Sequence, residues 1–275
     1  PLHIETGSKD IKEEKGRRET WHWKTKYNIN PYNINFTIGH FDLIERISPA
    51  LDKPLKVQYF VLKESKGSAD KLLDQVEIFL EFFSRNFGQY PWINEKFGLV
   101  NTPYWGMEHQ TIIAYGNEYK NNEQGYDFLL FHEMSHEWWG NYLSVADWAD
   151  LWIHEGFAIY AESLYLEEKY GEDEYNKFFR KKLLKQIPLK QPIVPHRNAT
   201  TSDVSGLDPY YKGAYVLHML RYLIGDIIFF EILNEFLHAK KELPNNQVTT
   251  NDFINLVSRK TGKDLDWFFK TYLYE

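Results

Sequence analysis

Not one cysteine occurs among the 275 residues, so disulfides and thiolate metal ligands are both excluded and the redox compartment stays unassigned. Any metal must be held by imidazole and carboxylate. No apolar run approaches the roughly 18 residues that a membrane-spanning helix requires, and charged residues make up 26% of the chain, so no membrane span is expected. Positive charge is in deficit. The formal net charge of -7 argues against a nucleic-acid partner, which calls for a basic patch, and suits a site that attracts cationic groups. Internal repeats are absent, and so is an initiator methionine. The chain begins at Pro1 with no basic and apolar leader behind it, and is expected to be part of something longer. The triplets Asn35-Phe36-Thr37 and Asn198-Ala199-Thr200 fit the glycosylation sequon and are taken as chance matches. A hydrophobic content of 43% is enough for a substantial core, in one large domain or two closely packed lobes.

What is present is concentrated between Phe131 and Glu155, FHEMSHEWWGNYLSVADWADLWIHE. His132, Glu133 and His136 stand in HExxH spacing. At 3.6 residues per turn, positions i and i+4 share one helix face, so both imidazoles can reach one ion. Glu133 is offset beside them as an uncoordinated carboxylate, which is the arrangement of a hydrolytic zinc site. Such a pentapeptide also arises by chance on amphipathic helices. Here, however, Phe128, Leu129, Leu130 and Phe131 precede it and Trp138 and Trp139 follow, and burying these charged groups without a metal would be costly. Glu155, after eighteen intervening residues, is the best candidate for third ligand. It lies in the helical pattern from Ala146 to Tyr170, expected to pack antiparallel to the first helix. One zinc per chain on His132, His136 and Glu155 leaves a fourth position for water, whose pKa falls to about 7 on zinc.

Elsewhere the chain supplies scaffold. Residues 1–19 carry the charge run Lys9, Asp10, Lys12, Glu13, Glu14, Lys15, Arg17 and Arg18 around Gly16, read as a solvated loop or hairpin. Trp21, Trp23 and Tyr27, then Ile34, Phe36 and Ile38, alternate on either side of Asn30-Pro31 and predict two half-buried strands; Val57, Tyr59 and Val61 predict another. A packing helix is expected from Gly67-Ser68 to Phe87 with Ser68 as N-cap. Lys96–Val100 and Gln110–Ala114 read as short strands around a turn at Pro103-Tyr104-Trp105-Gly106. A helix over Asp173–Gln186 precedes a Pro-, Ser-, Thr- and Asn-rich segment from Pro188 to Pro209. Two helices divided near Gly225 follow between Lys212 and Lys241, and Thr250-Asn251-Asp252 and Gly262-Lys263-Asp264 cap two more. Strands first and helices after give an α+β class, a small mixed sheet followed by a mostly helical lobe.

HEMSHEWWGN followed by WIHEGFA resembles the zinc signature of the gluzincin aminopeptidases, the family of aminopeptidase N and leukotriene A4 hydrolase. Gly106-Met107-Glu108 resembles that family's GxMEN exopeptidase motif, and Tyr210-Tyr211-Lys212-Gly213 its YxKG motif, in matching order and spacing. The resemblance implies a thermolysin-like catalytic domain over residues 41–275, with residues 1–40 a remnant of an N-terminal β domain and the flanking domains outside this chain. It implies Glu133 as general base and Tyr210 as the donor that meets the oxyanion, with the adjacent Tyr211 as a competitor for that role. It further implies a substrate edge strand at Gly106 and Met107, and Glu108 as anchor for the α-ammonium of peptides with free N-termini.

Two positions depart from the family pattern. His109 and His154 stand where it has Asn; either can tune the site or merely replace a hydrogen-bond partner, and neither is taken as a ligand. The function implied is zinc-dependent removal of N-terminal residues from peptides. The alternatives are an endopeptidase or an epoxide hydrolase of the same fold, or a binding module without turnover.

Overall fold

Val57, Tyr59 and Val61 alternate inward along a strand of a five-stranded mixed sheet, and that sheet organises the first half of the chain. The computed structural model describes residues 2–5, 8–15, 18–49, 52–183, 191–205, 208–238 and 247–275. These fall into two compact units, Pro1–Glu137 and Trp138–Glu275.

In the first unit, β1 (Leu2–Glu5) pairs antiparallel with β4 (Phe36–Gly39), and β2 (Ser8–Lys15) forms a hairpin with β3 (Arg18–Lys24). The charged N-terminal run is thus strand-forming where it is described; Pro1, Thr6, Gly7, Gly16 and Arg17 lie outside the described residues. The main sheet has the order β5 (Phe41–Ser48), β6 (Leu55–Leu62), β7 (Phe97–Asn101), β9 (Ile113–Tyr115), β8 (Gly106–Met107). β5 and β6 are antiparallel, β6, β7 and β9 run parallel, and β8 returns antiparallel along the edge. Every residue of β7 is buried, as a parallel strand covered on both faces requires.

The crossover between β6 and β7 is α1 (Lys66–Phe87). Ser68 is not its N-cap. A 3-10 turn over Lys63–Ser65 runs straight into the helix, so the cap is Ser65 and Gly67 sits in the first turn with open space around it. Phe79, Phe82 and Phe83 of α1 enclose Phe131, with ring centroids at 5.0, 5.7 and 4.8 Å. The sheet and α1 thereby grip the short helix α2 (Phe128–Ser135), which carries His132 and Glu133 and has His136 as its C-cap.

The second unit is largely helical. It is built on α3 (Trp152–Tyr170), in which every residue from Trp152 to Leu166 is buried, as expected of a helix apolar nearly all round. α4 (Glu172–Lys177) passes into a π-helical turn at Phe178–Leu183; the rest of that predicted helix, to Gln186, lies outside the described residues. Of the Pro-rich segment, residues 188–190 and 206–207 lie outside the described residues; the rest contains one helical turn, α5 (Thr201–Val204), opened by a Thr200–Asp203 capping box. Asp147 and Asp150 tether it: Asp147 accepts the amides of Asn198 and Ala199, and Asp150 pairs with Arg197. α6 (Tyr211–Ile224) and α7 (Asp226–His238) meet at Gly225, whose φ of 85° only glycine adopts without strain. α8 (Thr250–Thr261) starts at a Thr249–Asp252 capping box, and α9 (Asp266–Phe269) follows. Short strands β10 (Ser144–Val145) and β11 (Gln247–Val248) pair in parallel. Phe157, Phe236 and Phe253 form the aromatic centre of this unit, joined by Trp139 and Trp152. No helix among the described residues is long and apolar enough to cross a membrane.

Candidate metal centre

Asp127 fixes where the HExxH helix begins. Its carboxylate accepts the Leu130 amide at 3.0 Å, an N-cap bond, and also takes the Tyr115 hydroxyl and the Asn117 amide group. The helix entry is thereby fastened to the end of β9. Burial raises the pKa of Asp127, opposed by these hydrogen bonds.

One turn later, His132 and His136 bring their Nε2 atoms to 3.2 Å of one another with the ring planes at 85°. Two nitrogens each about 2.0–2.1 Å from one tetrahedral zinc would stand roughly 3.3 Å apart, so the pair fits the ion that its spacing predicts. His136 is buried and His132 half-buried, which gives the pair a dry side and an open side.

Glu133 is buried and lies against the edge strand. A Cβ built on Gly106 would come within 2.6 Å of Glu133 Oε1 and 2.9 Å of Leu129 Cδ1, so only glycine lets β8 approach the helix this closely. Glu108 follows directly after β8 and is buried as well. Ligand-type atoms of Glu108, Glu133 and His136 lie within 4.8 Å of one another. Two carboxylates and an imidazole thus converge at the end of the edge strand.

Spacing drew no attention to Glu137, yet it is wholly buried beside His136 and holds the turn behind the edge strand. Its oxygens accept from Trp92 Nε1 at 2.6 Å and from the Thr111 amide at 2.9 Å. Thr111 adopts a φ of 63°, while the buried Lys96 donates to its carbonyl at 2.6 Å. Desolvation pulls the Lys96 pKa down to about 8 against the attraction of Glu137 and Glu95. This turn explains why the strand predicted over Gln110–Ala114 is confined to Ile113–Tyr115: residues before it are bent by the Ile112 to His109 backbone bond. A charged residue flanked by apolar ones, as Glu137 is before Trp138 and Trp139, was the available signal.

His109 Nε2 accepts from the Asn35 side-chain amide at 2.8 Å, and burial lowers its pKa to about 4. His154, in the second unit, is buried and its Nε2 accepts the Val145 amide at 3.0 Å, tying α3 to β10. Both histidines act as hydrogen-bond partners.

Within the second unit, Glu155 stands buried in the first turn of α3. The next residue, Gly156, meets Gly213 of α6: a Cβ on Gly156 would lie 2.8 Å from the Gly213 Cα. The WIHEGFA and YYKG segments therefore cross at their glycines. Tyr210 occupies the N-cap of α6 and is 40% exposed, whereas Tyr211 beside it is half-buried. The Tyr211 pKa is raised chiefly by desolvation and then by Glu162. Asp208 accepts the Tyr211 amide at 2.8 Å, and Lys212 reaches the Gln191 carbonyl.

Residues 73–272 match the peptidase family M1 domain. Aminopeptidase N of Lactococcus lactis subsp. lactis is 26% identical over 284 residues, covering 96% of this chain and 32% of that protein. Endoplasmic reticulum aminopeptidase 1 of Rattus norvegicus is 25% identical over 269 residues, covering 90% of this chain and 28% of the relative. The chain thus spans about a third or less of the length of the curated relatives it matches. Among solved structures, a mutant M1 zinc metallopeptidase from Deinococcus radiodurans bound to a Tyr-Ser-Ala substrate superimposes with a TM-score of 0.77 at 21% identity, covering 99% of this chain and 61% of that one.

Proposed function

The chain belongs to peptidase family M1, and from that premise we propose that it carries the catalytic centre of a zinc aminopeptidase, which hydrolyses the first bond of peptides with free N-termini. The observation that carries this reading is the 3.2 Å spacing of the His132 and His136 Nε2 atoms, with Glu133 and Glu108 buried beside them. His132, His136 and Glu155 would hold one zinc per chain. Glu155 is assigned from its place in the motif and from its buried position in the first turn of α3. Zinc, when bound, supplies Lewis acidity at the scissile carbonyl and an acidified water.

The remaining steps belong to side chains of this protein. Glu133 takes the proton of the attacking water as general base and returns it to the leaving nitrogen. Tyr210 donates its hydroxyl hydrogen to the oxygen that becomes negative as the carbonyl turns tetrahedral. β8 at the sheet edge pairs with the extended peptide backbone, and Gly106 keeps that strand against Glu133. Glu108, at the end of β8, receives the substrate ammonium through a charge-assisted hydrogen bond, which selects the first residue of a chain.

The names and contents of the relatives support this reading, and a direct assay tests it. The protein should hydrolyse aminoacyl amides, lose that activity to a chelator and regain it with zinc, and leave N-acetylated peptides uncut. Equal cleavage of free and acetylated peptides would instead mark an endopeptidase, and zinc-loaded protein without turnover would mark a binding module.

A further inference from the structure

Glu108, His109 and Gln110 follow one another after the edge strand, and each forms a side-chain hydrogen bond to the same short segment far upstream. The Tyr32 hydroxyl donates to Glu108 Oε1 at 3.2 Å, Asn35 meets His109 Nε2 at 2.8 Å, and Gln110 Nε2 donates to the Asn28 carbonyl at 3.2 Å. All three residues after the strand are buried. Residues 28–35 therefore form a strap across the end of β8, where the proposed function puts the substrate ammonium.

The strap is stiff. Pro31 opens a 3-10 turn over Pro31–Asn33, Asn30 caps it by accepting the Tyr32 amide, and the Asn33 amide bonds the Asn30 carbonyl at 2.9 Å. Upstream, the amides of Lys26 and Tyr27 bond Glu95, Asn94 donates to the Tyr27 hydroxyl at 2.7 Å, and the Tyr27 ring meets Trp92 edge-on at 5.3 Å. Downstream, the Asn35 side-chain oxygen accepts the Phe36 amide at 2.8 Å. A carboxylate on an unrestrained glutamate turns broadly about its last torsion. One that already holds a donor on a pinned strap is oriented before the substrate arrives, and the incoming ammonium does not bear the entropy of ordering it.

We propose that Tyr32 is a positioning residue for the free-amine preference: its hydroxyl orients Glu108, and the strap Asn28–Asn35 that carries it closes the amine end of the site. This rests on the aminopeptidase reading and on Glu108 as its ammonium anchor. The chemical class recognised is a primary ammonium at the start of a peptide.

Tyr32→Phe removes one oxygen and keeps the ring, so a melting curve matching the parent is expected. In the zinc-loaded protein it should raise KM for a free dipeptide amide about three- to tenfold, because Glu108 must then be ordered by the ammonium itself, while kcat changes less than about twofold. In a Glu133→Gln background, calorimetry should show the Kd for the same amide weakening by a like factor. Glu108→Ala should weaken binding further, and Tyr32→Phe added to it should change nothing more, because the two act on one contact. If Glu108→Ala abolishes the free-amine preference while Tyr32→Phe leaves KM and Kd unaltered, the inference is wrong and the aminopeptidase reading stands. Equal losses on free and N-acetylated substrates would also overturn it, by showing a general structural role. If Glu108→Ala leaves the preference intact, the anchor reading fails and takes this inference with it.

Discussion

Gly106 and Glu133 approach so closely that a single added carbon would collide with the carboxylate, at 2.6 Å from Oε1. The edge strand and the HExxH helix therefore set each other's position. A substitution at Gly106 must move either the strand on which a peptide would lie or the carboxylate proposed to activate water.

Gly106→Ala should therefore lower kcat on the order of a hundredfold, since displacement of about 1 Å costs that much in a positioned site. Zinc content should stay at one per chain, because the proposed ligands His132, His136 and Glu155 are not touched. Steady-state kinetics alongside metal analysis checks this; an unchanged kcat would show that Glu133 has room the geometry denies it.

Metal occupancy tests the ligand set directly. The purified protein should hold stoichiometric zinc, and His136→Ala and Glu155→Ala should each lose it, since three ligands are the minimum that a catalytic site retains. Retention of one zinc per chain by Glu155→Ala would transfer the third position to another carboxylate, with Glu108 next in line by proximity to His136.

Glu133→Gln should keep zinc and lose about 10²–10⁴-fold in kcat, because the amide preserves shape without basicity. Tyr210→Phe should lower kcat by about 10²–10³-fold with little change in KM, as expected of a donor needed only while the oxyanion forms. A fully active Tyr210→Phe protein would make Tyr211 the donor.

Glu137→Ala should destabilise the fold rather than the chemistry. It strips acceptors from Trp92 and Thr111 and leaves the buried Lys96 charge without its neighbouring carboxylate. Removing one member of such a buried charged network costs about 3–5 kcal/mol. Urea unfolding measures it, and a loss below about 1 kcal/mol would contradict the network's role.

The pH dependence of stability should carry the imprint of His109. Burial lowers its folded pKa to about 4, from the ordinary histidine value of about 6.5. Between those values the unfolded chain binds more protons, so stability rises with pH across that window and the gain is complete above it. His109→Asn removes this titration while leaving a polar partner for Asn35. Its melting temperature should therefore vary less between pH 4.5 and 7 than that of the parent; parallel curves would show that His109 is not held neutral.

The helical period alone pairs His132 with His136 on one face. The break at Gly225 was equally legible, and the cap expected at Thr250-Asn251-Asp252 lies one residue earlier, at Thr249, whose box with Asp252 starts α8. All of these are encoded among residues within a few positions of one another, where backbone geometry leaves little choice. The α+β order of strands and then helices followed from the same local patterns.

Tertiary structure decided the rest. Strand order placed Gly106 at the sheet edge against Glu133, and core packing turned Glu137 inward to hold Thr111 in a left-handed conformation. It also brought Gly156 onto Gly213, and laid Tyr32 and Asn35 over Glu108 and His109. In each case the partners are distant in the chain, and a buried polar group or a missing side chain is satisfied only once the whole core has closed around it. No local propensity specifies such a partner, because its free energy comes from desolvation and close packing that do not exist until the fold is complete.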